Sequence, residues 1–90
     1  MDRIYNEGEI EVIFSRYNNG NVRFEQYQKD GNLKVIEYRE DGTKCNERTY
    51  VFNNGMKKQG EHKFYNTIGQ LIRTEAYKDD VLVDKKVIRE

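Results

Sequence analysis

Proline and tryptophan are absent from this 90-residue chain, cysteine and histidine occur once each, and 16 basic residues cancel 16 acidic ones. Each scarcity excludes something. With Cys45 alone, no intrachain disulfide can form, and a reducing compartment is the simplest expectation. One Cys and one His cannot supply the three or four ligands of a metal site without carboxylates. Zero net charge removes the overall basic field on which nucleic-acid binding relies, and the longest basic runs are the doublets Lys57-Lys58 and Lys85-Lys86. No apolar run approaches the roughly 20 residues of a membrane-spanning helix. The N-terminal MDRIYNEGE is acidic and has no signal-peptide apolar core, so a cytoplasmic location is expected. The glycines are spread evenly, not clustered as G-x-G-x-x-G, so no phosphate loop and no cofactor are expected.

Apolar and charged residues each make up 36% of the chain, and the mean hydropathy is −1.06. A domain this small buries only roughly 60% of its unfolded surface, so its core is thin. The seven Tyr and four Phe lie within β-branched runs, which argues against disorder. A single domain over residues 1–90 follows.

What the chain has in abundance is a repeated phrase. Gly8, Gly20, Gly31, Gly42, Gly55 and Gly69 recur at intervals of 11 to 14 residues, and a further step lands on Asp80. An aromatic stands three or four residues before each turn, at Tyr5, Tyr17, Tyr27, Tyr38, Phe52, Tyr65 and Tyr77. An aliphatic follows most turns, at Ile10, Val22, Leu33, Leu71 and Leu82; Lys44 and Lys57 interrupt that column. Asn19-Gly20, Asp30-Gly31, Asp41-Gly42 and Asn54-Gly55 are strong hairpin signals, because Asn, Asp and Gly reach positive φ at little cost. Glu7-Gly8, Ile68-Gly69 and Asp79-Asp80 are weaker ones. The intervening segments alternate with period two, as in Ile10, Val12 and Phe14. Seven hairpins and eight short antiparallel strands are expected, forming an all-β, up-and-down meander. An open, twisted sheet is expected rather than a closed barrel, because apolar residues are few for a packed interior. One face should be apolar and the other wet.

The phrases YNNGNVRFEQY, YQKDGNLKVIEY and FNNGMKKQGEHKFY resemble the variant MORN-type repeats of bacteria, over roughly residues 5–82. The resemblance implies β-hairpin ribbons that bind partners; many such proteins are described as antitoxin-like, and relatives with the more usual repeat associate with membranes or phospholipids. The chain departs from the pattern at the strand glycine, five residues after the turn glycine. It stands only at Gly60; its counterparts are Glu25, Ile36, Glu47 and Thr74.

Catalysis needs a constellation, and the sequence offers none. His62 lies between Glu61 and Lys63 and is expected to face solvent, with nothing to orient it toward Cys45 as a nucleophile–base pair. The chain is expected not to be an enzyme. Glu25 and Glu75 each precede a tyrosine by two residues and share its face; ion pairs with Arg23, Lys34, Lys58 or Arg73 are the plain expectation for them. The tyrosines themselves read two ways, as a ladder holding the sheet together or as a recognition surface. In the second reading Arg16, Tyr17, Arg23, Tyr27, Tyr38 and Arg39 are the first candidate patch, because Tyr and Arg dominate interface hot spots. VLVDKKVIRE is an expected sheet edge, open to a partner strand or a second copy, with Lys85 and Lys86 as gatekeepers. The resulting expectation is a non-catalytic binding protein that occludes another protein, such as a toxin or a defence nuclease. Nucleic-acid binding or mimicry and lipid association are the alternatives.

Overall fold

The computed structural model describes residues 2–7, 10–52 and 55–89, with side chains from Val12 onward within those ranges. Nine antiparallel strands form one sheet: β1 (Asp2–Glu7), β2 (Ile10–Arg16), β3 (Val22–Lys29), β4 (Asn32–Tyr38), β5 (Lys44–Phe52), β6 (Met56–Lys58), β7 (Gly60–Tyr65), β8 (Leu71–Lys78) and β9 (Val81–Val87). The order is β1-β2-β3-β4-β5-β7-β8-β9, with β6 sharing β5 as its partner. The edges β1 and β9 do not meet, so the sheet is open as expected. Its extents of 36 × 35 × 19 Å show how far twist carries a single layer out of a plane.

The turns fall into two chemical classes, one at each end of the sheet. At one end, Asp30-Gly31 joins the pair Lys29↔Asn32 with φ of 49° and 80°, and Asp79-Asp80 joins Lys78↔Val81 with φ of 48° and 72°. Both are two-residue turns with two left-handed residues, the geometry that matches strand twist. The second manages without glycine because aspartate tolerates that conformation. At the other end, Tyr17–Asn21, Arg39–Thr43 and Asn66–Gln70 share one pattern. The first residue's N–H bonds the fifth's carbonyl at 2.8–2.9 Å, and the glycine N–H bonds back to the first residue's carbonyl at 2.9–3.0 Å. Each of these turns coincides with a one-residue slip in strand register, at Arg16, Tyr38 and Tyr65. The expected turns at Gly8 and Asn54-Gly55 include residues outside the described ones.

One expected strand is divided. Between Tyr50↔Lys58 and Glu47↔Lys63 the β6–β7 segment advances five residues while β5 advances three. The break centres on Gly60, whose φ is +83°, and on Gln59, whose N–H bonds the Thr49 carbonyl at 3.1 Å.

The expectation of one apolar and one wet face is also corrected. Cross-strand register places Phe24, Leu33, Val35, Tyr50, His62 and Tyr77 on one face, and Val12, Phe14, Glu25, Tyr27, Ile36, Glu47 and Tyr65 on the other. Among the described residues the buried hydrophobics are Val12 and Leu33, one on each face. Apolar residues too few for a packed second layer are thus divided between two half-covered surfaces.

Candidate functional site

The six residues of the expected patch separate into two groups. Tyr17, Tyr27, Tyr38 and Arg39 are half-buried and bound within the sheet. The Tyr17 hydroxyl donates to the Tyr38 carbonyl at 2.8 Å. Tyr27 and Tyr38 both donate to Glu25, Tyr38 at 2.8 Å. Arg39 donates to the carbonyls of Lys44 and Asn66 at 2.9 Å and of Tyr65 at 2.8 Å, tying its own turn to the Asn66–Gln70 turn. Arg16 and Arg23 are exposed. Arg16 bonds the Gly20 carbonyl at 2.9 Å, and the Arg23 guanidinium lies 5.3 Å from the centre of the Phe24 ring. The structure therefore brings two tyrosines to Glu25, ties Tyr17 to Tyr38 and makes Arg39 a clamp between turns. The ladder reading of the tyrosines accounts for their hydroxyls.

The positions Glu25, Ile36 and Glu47 share one setting in the sheet. Glu25, Ile36 and Glu47 are direct cross-strand neighbours in one row. The tyrosine that ends β4, Tyr38, reaches diagonally back to Glu25, and the one that ends β7, Tyr65, reaches Glu47 at 2.6 Å. At Glu25 and Glu47 a carboxylate receives a tyrosine hydroxyl. Burial, followed by the carboxylate hydrogen bond, pushes the hydroxyls of Tyr38 and Tyr65 up to about 12. Glu47 is lowered: burial opposes its charge, but the Tyr65 hydroxyl and the nearby Lys44, Lys34 and Lys63 together outweigh that. Lys34 and Lys44 each stand 3.7 Å from it.

His62 does not face solvent. It is 1% exposed, wedged between Tyr50 and Tyr77 at ring-centre distances of 5.6 and 4.8 Å. Its Nε2 meets the Thr49 carbonyl at 2.8 Å. Desolvation lowers its pKa, and Lys58 and Arg48 add to the effect. The polar neighbours Glu61 and Lys63 concealed this, because they occupy the opposite face. Cys45 is the extra residue at the register slip between Glu37↔Asn46 and Tyr38↔Lys44, and no hydrogen bond joins it to His62. Among the described residues no group of His, Cys, Asp and Glu is placed to hold a metal ion. No helix among them is long and apolar enough to cross a membrane.

A concavity among the described residues was not anticipated. On the His62-bearing face, β3 to β6 form a groove of about 440 Å³. Leu33 and Val35 form its floor, with Phe24 and Tyr50 beside them and Phe52 and Met56 along the rim. Phe52 and Met56 are 45% and 54% exposed. Gln26 and a Glu37–Arg48 ion pair supply its polar side, and Arg48 also bonds the Tyr50 hydroxyl at 3.0 Å and Asn46 Oδ1 at 3.1 Å. Parity along β4 puts Leu33, Val35 and Glu37 on one face. Finding the other wall required the register Leu33↔Tyr50 and Phe52↔Met56. Compared with known proteins, the chain matches no family model, no curated protein and no solved structure.

Proposed function

We propose that the protein is a non-catalytic binding module that occludes a partner protein, in the manner of an antitoxin, an immunity protein or a phage-type inhibitor of a defence enzyme. The observation that carries this reading is the open groove on the β3–β6 face. Its apolar rim, Phe52 and Met56, is exposed to solvent, which is unfavourable unless something covers it, at about 25 cal/mol per Å² of apolar area. Arg48 and Tyr50 are already fixed against each other and against Glu37 beside that floor. Arg and Tyr so pre-organised beside an apolar depression are the composition of an interface hot spot. The groove suits apolar side chains projecting from another protein. The resemblance to partner-binding repeat proteins points the same way. The lysines that a nucleic-acid reading would need on the opposite face, Lys34, Lys44 and Lys63, converge on Glu47 and Glu61.

The test places a photo-crosslinking residue at Met56, and in a second variant at Lys34 on the opposite face, in cells of the natural host. The expected result is one protein crosslinked from position 56 and not from 34. The adduct should disappear when Phe52→Asp is added. Equal adducts from both positions, or an adduct indifferent to Phe52→Asp, would refute the reading.

A further inference from the structure

The β9 edge is a second surface, separated from the groove by β7 and β8. Every residue of β9 is exposed. Five of the eight large hydrophobic side chains left exposed among the described residues lie here: Val81, Leu82, Val83, Val87 and Ile88. The backbone direction can be worked out. Ile88 N–H bonds the Ile72 carbonyl of the neighbouring chain segment at 2.8 Å, so it points toward β8. Antiparallel ladders alternate, and the register from Asp84 to Val87 is regular. Lys86 and Asp84 therefore point their backbone groups toward β8, while Lys85 and Val87 point theirs outward. Consistent with this, the Lys85 N–H is met at 2.9 Å by the Asp84 carboxylate, which caps an edge donor.

The charges on this edge discriminate between occupants. Lys85 lies opposite Glu75, but that carboxylate already holds the Tyr77 hydroxyl at 2.8 Å and Arg73 at 3.2 Å. Neither Lys85 nor Lys86 enters an ion pair among the described residues. A second copy of β9, added antiparallel about a two-fold axis centred on Asp84, Lys85 or Lys86, would set that residue against itself, and one centred on Val87 would set Lys85 against Arg89. Like charges directly opposite destabilise a sheet. The register centred on Lys85 also offers Asp84 to the other copy's Lys86, but only by removing Asp84 from the N–H it caps. An incoming strand with carboxylates opposite Lys85 and Lys86 also displaces Asp84 from the Lys85 N–H, but it sets no like charges against each other and gains apolar contact with Val87 and Ile88.

We propose that β9 is a docking edge for an extended, acidic-centred segment of another protein, added antiparallel as a further strand. The same two lysines disfavour self-pairing and select the partner, so one feature supplies repulsion against one occupant and attraction for the other. This surface does not depend on the groove reading.

The probe is a capped nonapeptide, Thr-Ile-Val-Glu-Glu-Thr-Val-Val-Thr, designed to lie antiparallel to residues 81–89, titrated into the full chain with amide exchange followed by NMR. Its counterpart carries Lys-Lys in place of Glu-Glu. The acidic peptide is expected to bind about tenfold more tightly, to weaken with salt, and to protect the Lys85 and Val87 amides. The double variant K85E/K86E should reverse the preference. Val87→Pro removes an outward N–H that β8 does not use, so it should abolish binding while leaving the circular dichroism and unfolding midpoint unchanged. Phe52→Asp with Met56→Asp should leave peptide binding intact, which separates this surface from the groove. Equal affinity for the two peptides, binding that survives Val87→Pro, or a micromolar dimer abolished by Val87→Pro would overturn the proposal; the last would assign the edge to a second copy.

Discussion

Replacing Gly60 by alanine should destabilise the protein, and the sign of that effect is the point. In an uninterrupted β-strand the same change stabilises by roughly 0.5–1 kcal/mol, because glycine loses more backbone freedom on folding. Here Gly60 has φ of +83°, a conformation that costs an L-residue about 1–2 kcal/mol. Its new Cβ would stand 3.0 Å from Thr49 Oγ1. That hydroxyl donates to the Gln59 carbonyl, so moving it aside sacrifices a bond worth about 0.5–1.5 kcal/mol. Together the two effects amount to about 1.5–3.5 kcal/mol of destabilisation. Urea unfolding should show a lower midpoint with an unchanged slope, and the melting temperature should fall by roughly 4–8 °C per kcal/mol. In a Thr49→Ala background the same substitution should retain only the backbone part. A Gly60→Ala variant as stable as its parent, or more so, would show that β6 and β7 are one continuous strand and would refute the division at Gln59-Gly60.

Two titrations probe the buried polar groups. Tyr38, held near 12 by burial and by Glu25, keeps its proton in the fold; its contribution is therefore complete below pH 10 and is lost as pH rises from 10 toward 12. Ultraviolet titration of Glu25→Gln should move that hydroxyl down toward 10, and no movement would deny the carboxylate its role. His62 is stabilised in its neutral form, so the unfolded chain takes up a proton first; stability should be complete above about pH 6.5 and fall as pH drops below it. His62→Phe should flatten that limb of a urea-midpoint profile, and a profile unchanged by the substitution would place the acid sensitivity elsewhere.

How much of this was legible depended on the range of each interaction. Turn chemistry is local, so Asp30-Gly31 and Asp41-Gly42 could be read directly, and with them strand order; the open sheet was expected instead from the scarcity of apolar residues. Asp79-Asp80 was a weak signal because its two left-handed residues are both aspartates, yet its place was set by the interval from Gly69. Facing is less local. Glu25 and Tyr27 share a face by parity alone, whereas the bond from Tyr65 to Glu47 spans 18 residues and required the β5–β7 register. His62 failed for the same reason. Its sequence neighbours are charged, but Tyr50 and Tyr77 that bury it lie on the two adjacent strands. Division at Gly60 had one visible cue, the only strand glycine left in the chain.

The candidate patch moved across the sheet for a reason that joins these observations. The expected surface was built from tyrosines near the turns. Glutamates at two of the strand-glycine positions engage those tyrosines, Glu25 taking Tyr27 and Tyr38 and Glu47 taking Tyr65. That face consequently satisfies its own polar groups, and its rings are drawn down onto neighbouring strands. The opposite face has no such ladder along β3 to β6. Arg48 is paired with Glu37 and Tyr50, but Phe52 and Met56 stand exposed at the margin of the groove. The Glu25 and Glu47 carboxylates thus close one side of a single-layer sheet with its own tyrosines, and the proposed docking surface falls on the side that lacks them. If that logic holds, Glu47→Gly should loosen Tyr65 without altering the groove, and a partner engaged at Met56 should tolerate it.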